Sequence, residues 1–358
     1  DNVFDAAPQA SVTFTIARGN QTALTISSAS TVVYGNTISL TTSGGSSTGA
    51  VTYATTGTCT ESNGVLTVGN AGSTCTVTAT QAGDSQYVAV SSSAQTITIT
   101  KASQSISFIS LPSTPTALGN YSVIATSSSG VTVTFTIAAN SASVCSVSGN
   151  TVSFLTSGSC EILADQAGNT NYDAAPQATQ IVTVGKADQT ITIPDPGTMH
   201  VGDASFNAGA TSDSSLQIAY SLGSATTNNA CSITSSGVVT IAYAGDCEIV
   251  ADQAGDVTYN PAITARRTFA IAAGPQATLT ISSASTVTYG NTISLTTSGG
   301  SGTGAVTYAT TGTCSVSGTT LTVGDAGSSC SVTATKAADA NYTAASSDRK
   351  STRLNSSH

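Results

Sequence analysis

Tryptophan is absent, methionine occurs once and histidine twice, and only 8% of the 358 residues are charged. That scarcity weighs against an enzyme, because acid–base chemistry draws on His, Glu, Asp and Lys. Basic residues are rarer than acidic ones, nine against eighteen for a net charge of −9. No cationic surface is available to neutralise phosphates, so no nucleic-acid partner is expected. No apolar run approaches the ~20 residues of a membrane-spanning helix. Proline is also scarce, at eight residues, while 39% of residues are hydrophobic and mean hydropathy is +0.15. Disordered chains combine low hydrophobicity with high charge or proline, so this chain is expected to fold. Small hydroxyls are what it has in abundance: 55 Ser and 63 Thr make 118 of the 358 residues. That composition is unlike a helical protein's, and β-branched Thr favours strands.

The eight cysteines reveal internal repetition. They form the pairs Cys59/Cys75, Cys145/Cys160, Cys231/Cys247 and Cys314/Cys330, 15 or 16 residues apart within a pair. Six residues after each second cysteine stands Gln81-Ala-Gly-Asp84, Gln166-Ala-Gly-Asn169, Gln253-Ala-Gly-Asp256 or Lys336-Ala-Ala-Asp339. Twelve residues after it comes Tyr87, Tyr172, Tyr259 or Tyr342. Residues 21–59 and 276–314 agree at 35 of 39 positions. Phe4-Asp-Ala-Ala-Pro-Gln-Ala10 mirrors Tyr172-Asp-Ala-Ala-Pro-Gln-Ala178. The expected organisation is therefore the end of a preceding repeat (1–19) followed by repeats at 20–101, 102–186, 187–273 and 274–347.

Within a repeat, short strand signals recur between Gly/Ser/Asn turns; in the fourth they fall at 278–282, 292–297, 305–310, 314–317, 320–323 and 330–335. The first repeat adds a last strand at 95–100. Alternation such as Leu24/Ile26, Ile38/Leu40 and Ile97/Ile99 predicts one buried and one solvated face. Six or seven short antiparallel strands without helical periodicity predict an all-β fold of tandem two-sheet sandwiches. The short junctions, two to four residues, predict an elongated, semi-rigid rod.

Parity places the cysteines inside, Cys145 with Val147, Cys160 with Ile162, Cys231 with Ile233 and Cys247 with Ile249. One local disulfide per repeat is the natural pairing, worth ~3 kcal/mol in the chain-entropy model. Zinc would need Cys-x-x-Cys pairs or nearby His, and a catalytic thiol an unpaired Cys with a base; neither pattern occurs. Disulfides imply an oxidising compartment and hence export. Glu61 takes the inward parity held elsewhere by Val147, Ile233 and Val316, so either the strand bulges there or the carboxylate sits at the wet edge.

The last eleven residues, Asp348-Arg-Lys-Ser-Thr-Arg-Leu-Asn-Ser-Ser-His358, break the composition and resemble a translated short-read sequencing adapter. They are set aside as a scar. With no initiating Met at Asp1, the chain is read as an internal fragment, its fourth repeat lacking the last strand.

Val144-Cys-Ser-Val-Ser-Gly-Asn-Thr-Val-Ser, followed by Thr156-Ser-Gly-Ser-Cys-Glu-Ile-Leu-Ala-Asp-Gln-Ala-Gly-Asn, resembles the bacterial immunoglobulin-like repeats. It is most similar to a disulfide-bearing subtype that ends in a Gly-(Asp/Asn)-x-x-Tyr turn. The resemblance spans about 23–347 and implies a spacer or presenter in large adhesin-like proteins at the bacterial surface or outside the cell. It implies no activity, because fold does not fix function.

Candidate sites each have a plainer reading. The recurrent Asp84/Asn169/Asp256/Asp339 suits calcium, which takes six to eight oxygens, less well than turn formation; Asp165 and Asp252 add carboxylates nearby, while Glu161 and Glu248 read as solvated strand residues. The tyrosines read as rings packed on their own sandwiches rather than as a sugar-stacking platform. His200 reads as a loop residue, and Lys101 and Lys186 as linkers rather than isopeptide donors. The expectation is thus no catalytic residue, cofactor or metal, with neighbouring repeats as the partners. The favoured function is a stalk presenting a distal domain. The alternative is adhesive repeats binding a host, matrix or carbohydrate ligand through loops or strand edges, concentrated in the divergent third repeat.

Overall fold

The computed structural model describes residues 5–110, 112–347 and 350–355. Phe4 of the repeated Ala-Ala-Pro-Gln motif, and Asp348, Arg349 and 356–358 of the basic tail, lie outside them. The chain divides into two compact units, Asp1–Gly185 and Lys186–His358, and each unit holds two immunoglobulin-like β-sandwiches.

In the first sandwich one sheet is ordered Thr31–Val33, Gln95–Thr100, Thr74–Gln81, Val51–Gly57, with Val90–Ser91 paired to Thr74–Gln81. The other layer is Thr37–Ser39, Val65–Thr67, Thr60–Ser62, beside the ribbon Leu24–Ile26 with Thr42–Gly44. Period two governs which side chains are buried: Cys75, Val77 and Ala79 point inward from the long strand, as do Ile97 and Ile99 from the last one. They meet Ile38, Leu40 and Leu66 of the facing layer in one cluster. The other three repeats have their own clusters, built around Val152/Ile162, Val239/Ile249 and Leu321/Val332.

One pairing departs from the antiparallel expectation. Thr31–Val33 runs parallel to Gln95–Thr100, and Met199–His200 runs parallel to Ala265–Ala272. In the second repeat this parallel contact shrinks to the bridge Thr116↔Gly185. The first and last strands of a repeat are thus neighbours, which brings both ends of each sandwich together. His200 consequently lies in a short strand, not in a loop.

The basic tail also departs from expectation. Lys350–Asn355 forms the last strand of the fourth repeat, antiparallel to Ser329–Lys336 and parallel to Thr286–Thr288. Those two strands would otherwise present unpaired backbone edges, and any extended segment within reach satisfies them. Thr352 is the register partner of Cys330, the place held by Ile97 opposite Cys75, Val182 opposite Cys160 and Phe269 opposite Cys247.

The sulfurs of Cys59–Cys75, Cys145–Cys160, Cys231–Cys247 and Cys314–Cys330 are bonded, with Cα separations of 5.7 to 5.8 Å. Each bond joins a short strand of one layer, or the residue just before it, to the long strand of the other. Four covalent ties thus cross the four small cores, where buried area alone gives marginal stability.

Candidate functional site at the repeat junctions

Each recurrent Asp or Asn is the hub of a turn. Asp84 Oδ1 accepts from the N–H groups of Gln86 (2.8 Å) and Tyr87 (2.9 Å), and its Oδ2 accepts from Thr48 N (3.0 Å) and Oγ1 (3.3 Å). Asp339 repeats the pattern with Asn341, Tyr342 and Thr303. Asn169 and Asp256 each accept from the second and third residues onward through Oδ1. The Thr48 N–H, followed by that of Gln86, holds the Asp84 carboxyl below its ordinary value, and Thr303 and Asn341 do the same for Asp339. Donors that point at the carboxylate oxygens leave few lone pairs for a cation, and among the described residues no cluster of three metal-ligating side chains occurs. Gly168 lets the turn close: at φ +77° a Cβ would lie 2.5 Å from Tyr172 O.

This turn holds the linker that leads into its own repeat. Linker residues Gly19, Ala102, Ala187 and Gly274 bridge in parallel to Tyr87, Tyr172, Tyr259 and Tyr342. Ala102 N donates to Asn171 O (2.9 Å) and Asp173 N donates to Ala102 O (3.0 Å); Gly274 is held in the same way by Asn341 and Thr343. The Lys101 and Lys186 side chains beside these linkers are exposed.

In two of the repeats the turn also grips the preceding sandwich. Asn171 Oδ1 accepts from Ala71 N (3.0 Å) and its Nδ2 donates to Asn70 Oδ1 (3.1 Å). In the second unit Asn341 Oδ1 accepts from Ala244 N (2.9 Å). The neighbouring rings cross as well. Tyr172 meets Tyr34 edge to face at 5.5 Å, and Tyr342 packs against the core of the third repeat. These two tyrosines therefore do not lie on their own sandwiches, contrary to expectation. The turn ends where the linker enters, and a ring placed there is nearest the preceding sandwich. Gln86 and Thr258 occupy the Asn position in the first and third repeats.

Sequence reasoning overlooked a glutamine at the head of each repeat. Buried Gln104 donates through Nε2 to Gln166 Oε1 and to Asp173 O, and accepts at Oε1 from Ser129 Oγ. Gln189 repeats this with Gln253 and Asn260. The signal was available, because Gln21, Gln104, Gln189 and Gln276 recur once per repeat. These amides fasten the first strand to the tyrosine turn, since a buried amide without partners costs about 1–3 kcal/mol.

Other candidates resolve locally. Glu248 is buried rather than solvated, accepting from Ala225 N (2.9 Å) and paired with Arg266 (3.3 Å). The Ala225 N–H, and then the guanidinium, hold its carboxyl below the usual glutamate range against the opposing effect of burial. Glu161 is half-buried, with Asn140 Nδ2 at 3.5 Å from its Oε2. Glu61 neither bulges out nor faces water alone; its Oε1 accepts from Gly64 N (2.6 Å) and closes the adjoining hairpin turn. Asp165 accepts from Gln177 Nε2 at 3.0 Å, and Asp252 from Thr264 Oγ1. His200 N donates to Asp203 Oδ2 (2.7 Å).

No protein-family model matches the chain, and no curated protein matches its sequence. Among solved structures it is similar to the insect immune protein hemolin, at 11% identity over 94% of this chain and 100% of that one, with a TM-score of 0.29. It is similar to Drosophila N-cadherin EC1-4 at 11% identity, 87% and 93% coverage and a TM-score of 0.25. A third likeness is to the S-layer protein rSbsC(31-844), at 15% identity over 93% of this chain but 53% of that one, TM-score 0.25. Likeness at these scores carries no argument about function; the sandwich architecture rests on the strand pairing above.

Proposed function

We propose that the chain is a stalk segment of an exported bacterial protein, secreted or held at the cell surface, whose repeats space a distal domain away from its anchor. The supporting observation is the two-sided turn. Asn171 and Tyr172 hold the incoming linker on one side and the preceding sandwich on the other, and Asn341 and Tyr342 do likewise. A connection fastened to both neighbours transmits orientation, which a flexible tether does not. The repeats as bounded at 20–101, 102–186, 187–273 and 274–347 are the mechanical units. Disulfides persist where the surroundings are oxidising, and a low, net-negative charge keeps such a chain soluble.

The adhesive alternative has less beneath it. The divergent third-repeat loop at 226–229 is spent on internal bonds: Thr226 Oγ1 accepts from Glu248 N, Thr227 Oγ1 accepts from Asp246 N, and Asn228 Nδ2 donates to Ala244 O.

Spin labels placed in the first and second repeats test the spacer reading. A narrow distance distribution is expected in the unaltered chain, broadened by Asn171→Ala with Tyr172→Ala. A broad distribution before any substitution would overturn the reading, as would tight capture of a ligand by a single repeat.

A further inference from the structure

Residues 5–17 precede the first sandwich and form no strand. Within them Val12, Phe14 and Ile16 are 74%, 84% and 93% exposed, separated by Thr13 and Thr15. Period-two apolar residues of this kind mark a strand that buries one face. The wording matches the last strand of the repeats: Thr13-Phe-Thr-Ile-Ala17 parallels Thr268-Phe-Ala-Ile-Ala272. Phe14 and Ile16 fall on Phe269 and Ile271, and likewise on Val182 and Val184, all of which are buried between two strands of their sheets.

We propose that residues 11–17 are a donor strand and that their acceptor is the fourth sandwich of a second copy of this chain. The last-strand place there is the weakest among the four by sequence. Opposite Cys330 stands Thr352, where the other repeats present Ile97, Val182 or Phe269 to the second cysteine. The incoming segment puts Phe14 opposite Cys330 and Ile16 two residues on, running antiparallel to Ser329–Lys336 and parallel to Thr286–Thr288. Lys350–Asn355 is displaced, its backbone bonds replaced one for one. Strand addition draws affinity from main-chain bonds and specificity from alternate side chains. Donor and acceptor surfaces differ, so the contact is heterologous and copies join head to tail into rings or filaments.

The test is the mass of the 358-residue protein, measured by light scattering and sedimentation over a wide concentration range. Mass should rise with concentration. Phe14→Asp with Ile16→Asp should return it to monomer with an unchanged circular dichroism spectrum, because both side chains are exposed in the single chain. Thr352→Ile, which strengthens the resident strand, should raise the concentration of half-association about tenfold, the equivalent of 1.4 kcal/mol. A monomer at every concentration overturns the proposal, and so does folding back onto the same chain, which leaves the mass unchanged. Association that survives the double aspartate variant removes the donor. Association indifferent to Thr352→Ile removes the acceptor.

Discussion

Asp84 and Asn169 stand at the same place in two repeats, yet only one of them titrates. The N–H donors around Asp84 favour its ionised form and hold its pKa below the ordinary 3.8. The stability this carboxylate contributes is therefore complete above the unfolded value and is lost as pH falls through the lowered folded one. The amide proton shifts of Thr48, Gln86 and Tyr87 should titrate together below pH 3.8, while those of Asn171 and Tyr172 around Asn169 stay flat. A common midpoint above 3.8 would contradict the hydrogen-bonded hub. The turn role of these residues was legible from their recurrence beside glycine and alanine. The grip of Asn171 on Ala71 was not, because the two are a hundred residues apart and nothing local marks one Asn over another.

At the scale of the element, alternation in a Thr-rich strand decides which face is buried, and the cysteine spacing decides where the two layers can be tied. Replacing Cys145 and Cys160 together with Ser should lower the stability of the second repeat by about 3 kcal/mol in the loop-entropy model. Denaturant unfolding followed through the second-repeat amides checks this, and a change under ~1 kcal/mol would mean that the bonded loop is already ordered in the unfolded chain. The linker Gly274 makes a sharper case. A Cβ there would lie 1.8 Å from Val201 O, a backbone atom that can move only with its strand. Gly274→Ala should destabilise the contact of the third and fourth repeats by about 1–3 kcal/mol, the usual penalty of overpacking, and leave the first two untouched. Ala102 occupies the equivalent bridge between the first and second repeats, so the restriction belongs to one junction and not to the linker as such. The parallel pairing of first and last strands, and the strand formed by Lys350–Asn355, were hidden for a related reason. Strand propensity identifies extended segments, but which edge an extended segment joins depends on what lies beside it.

For the whole molecule, stability in a tandem array is the sum of repeat terms and nearest-neighbour terms. Leu66→Ala, at a fully buried site, should cost the first repeat about 2–5 kcal/mol. Part of that loss should reach the second repeat through the Asn171 and Tyr172 contacts, seen as faster amide exchange there. Adding Asn171→Ala should cut the transmitted part by about 1 kcal/mol, the worth of a net hydrogen bond; transmission that is unaltered would place the coupling elsewhere. The sequence by itself determined the repeat, the strand period, the inward cysteines and the shortage of chemistry-bearing side chains, because each depends on neighbours within a few residues or on composition. Only the tertiary structure decided that tyrosines reach the preceding sandwich, that Glu248 is buried against Arg266, and that glutamines at the head of a repeat bond to its far turn. Those outcomes join residues far apart in the chain, and a side chain's surroundings there are set by how sheets close, not by the residues on either side of it.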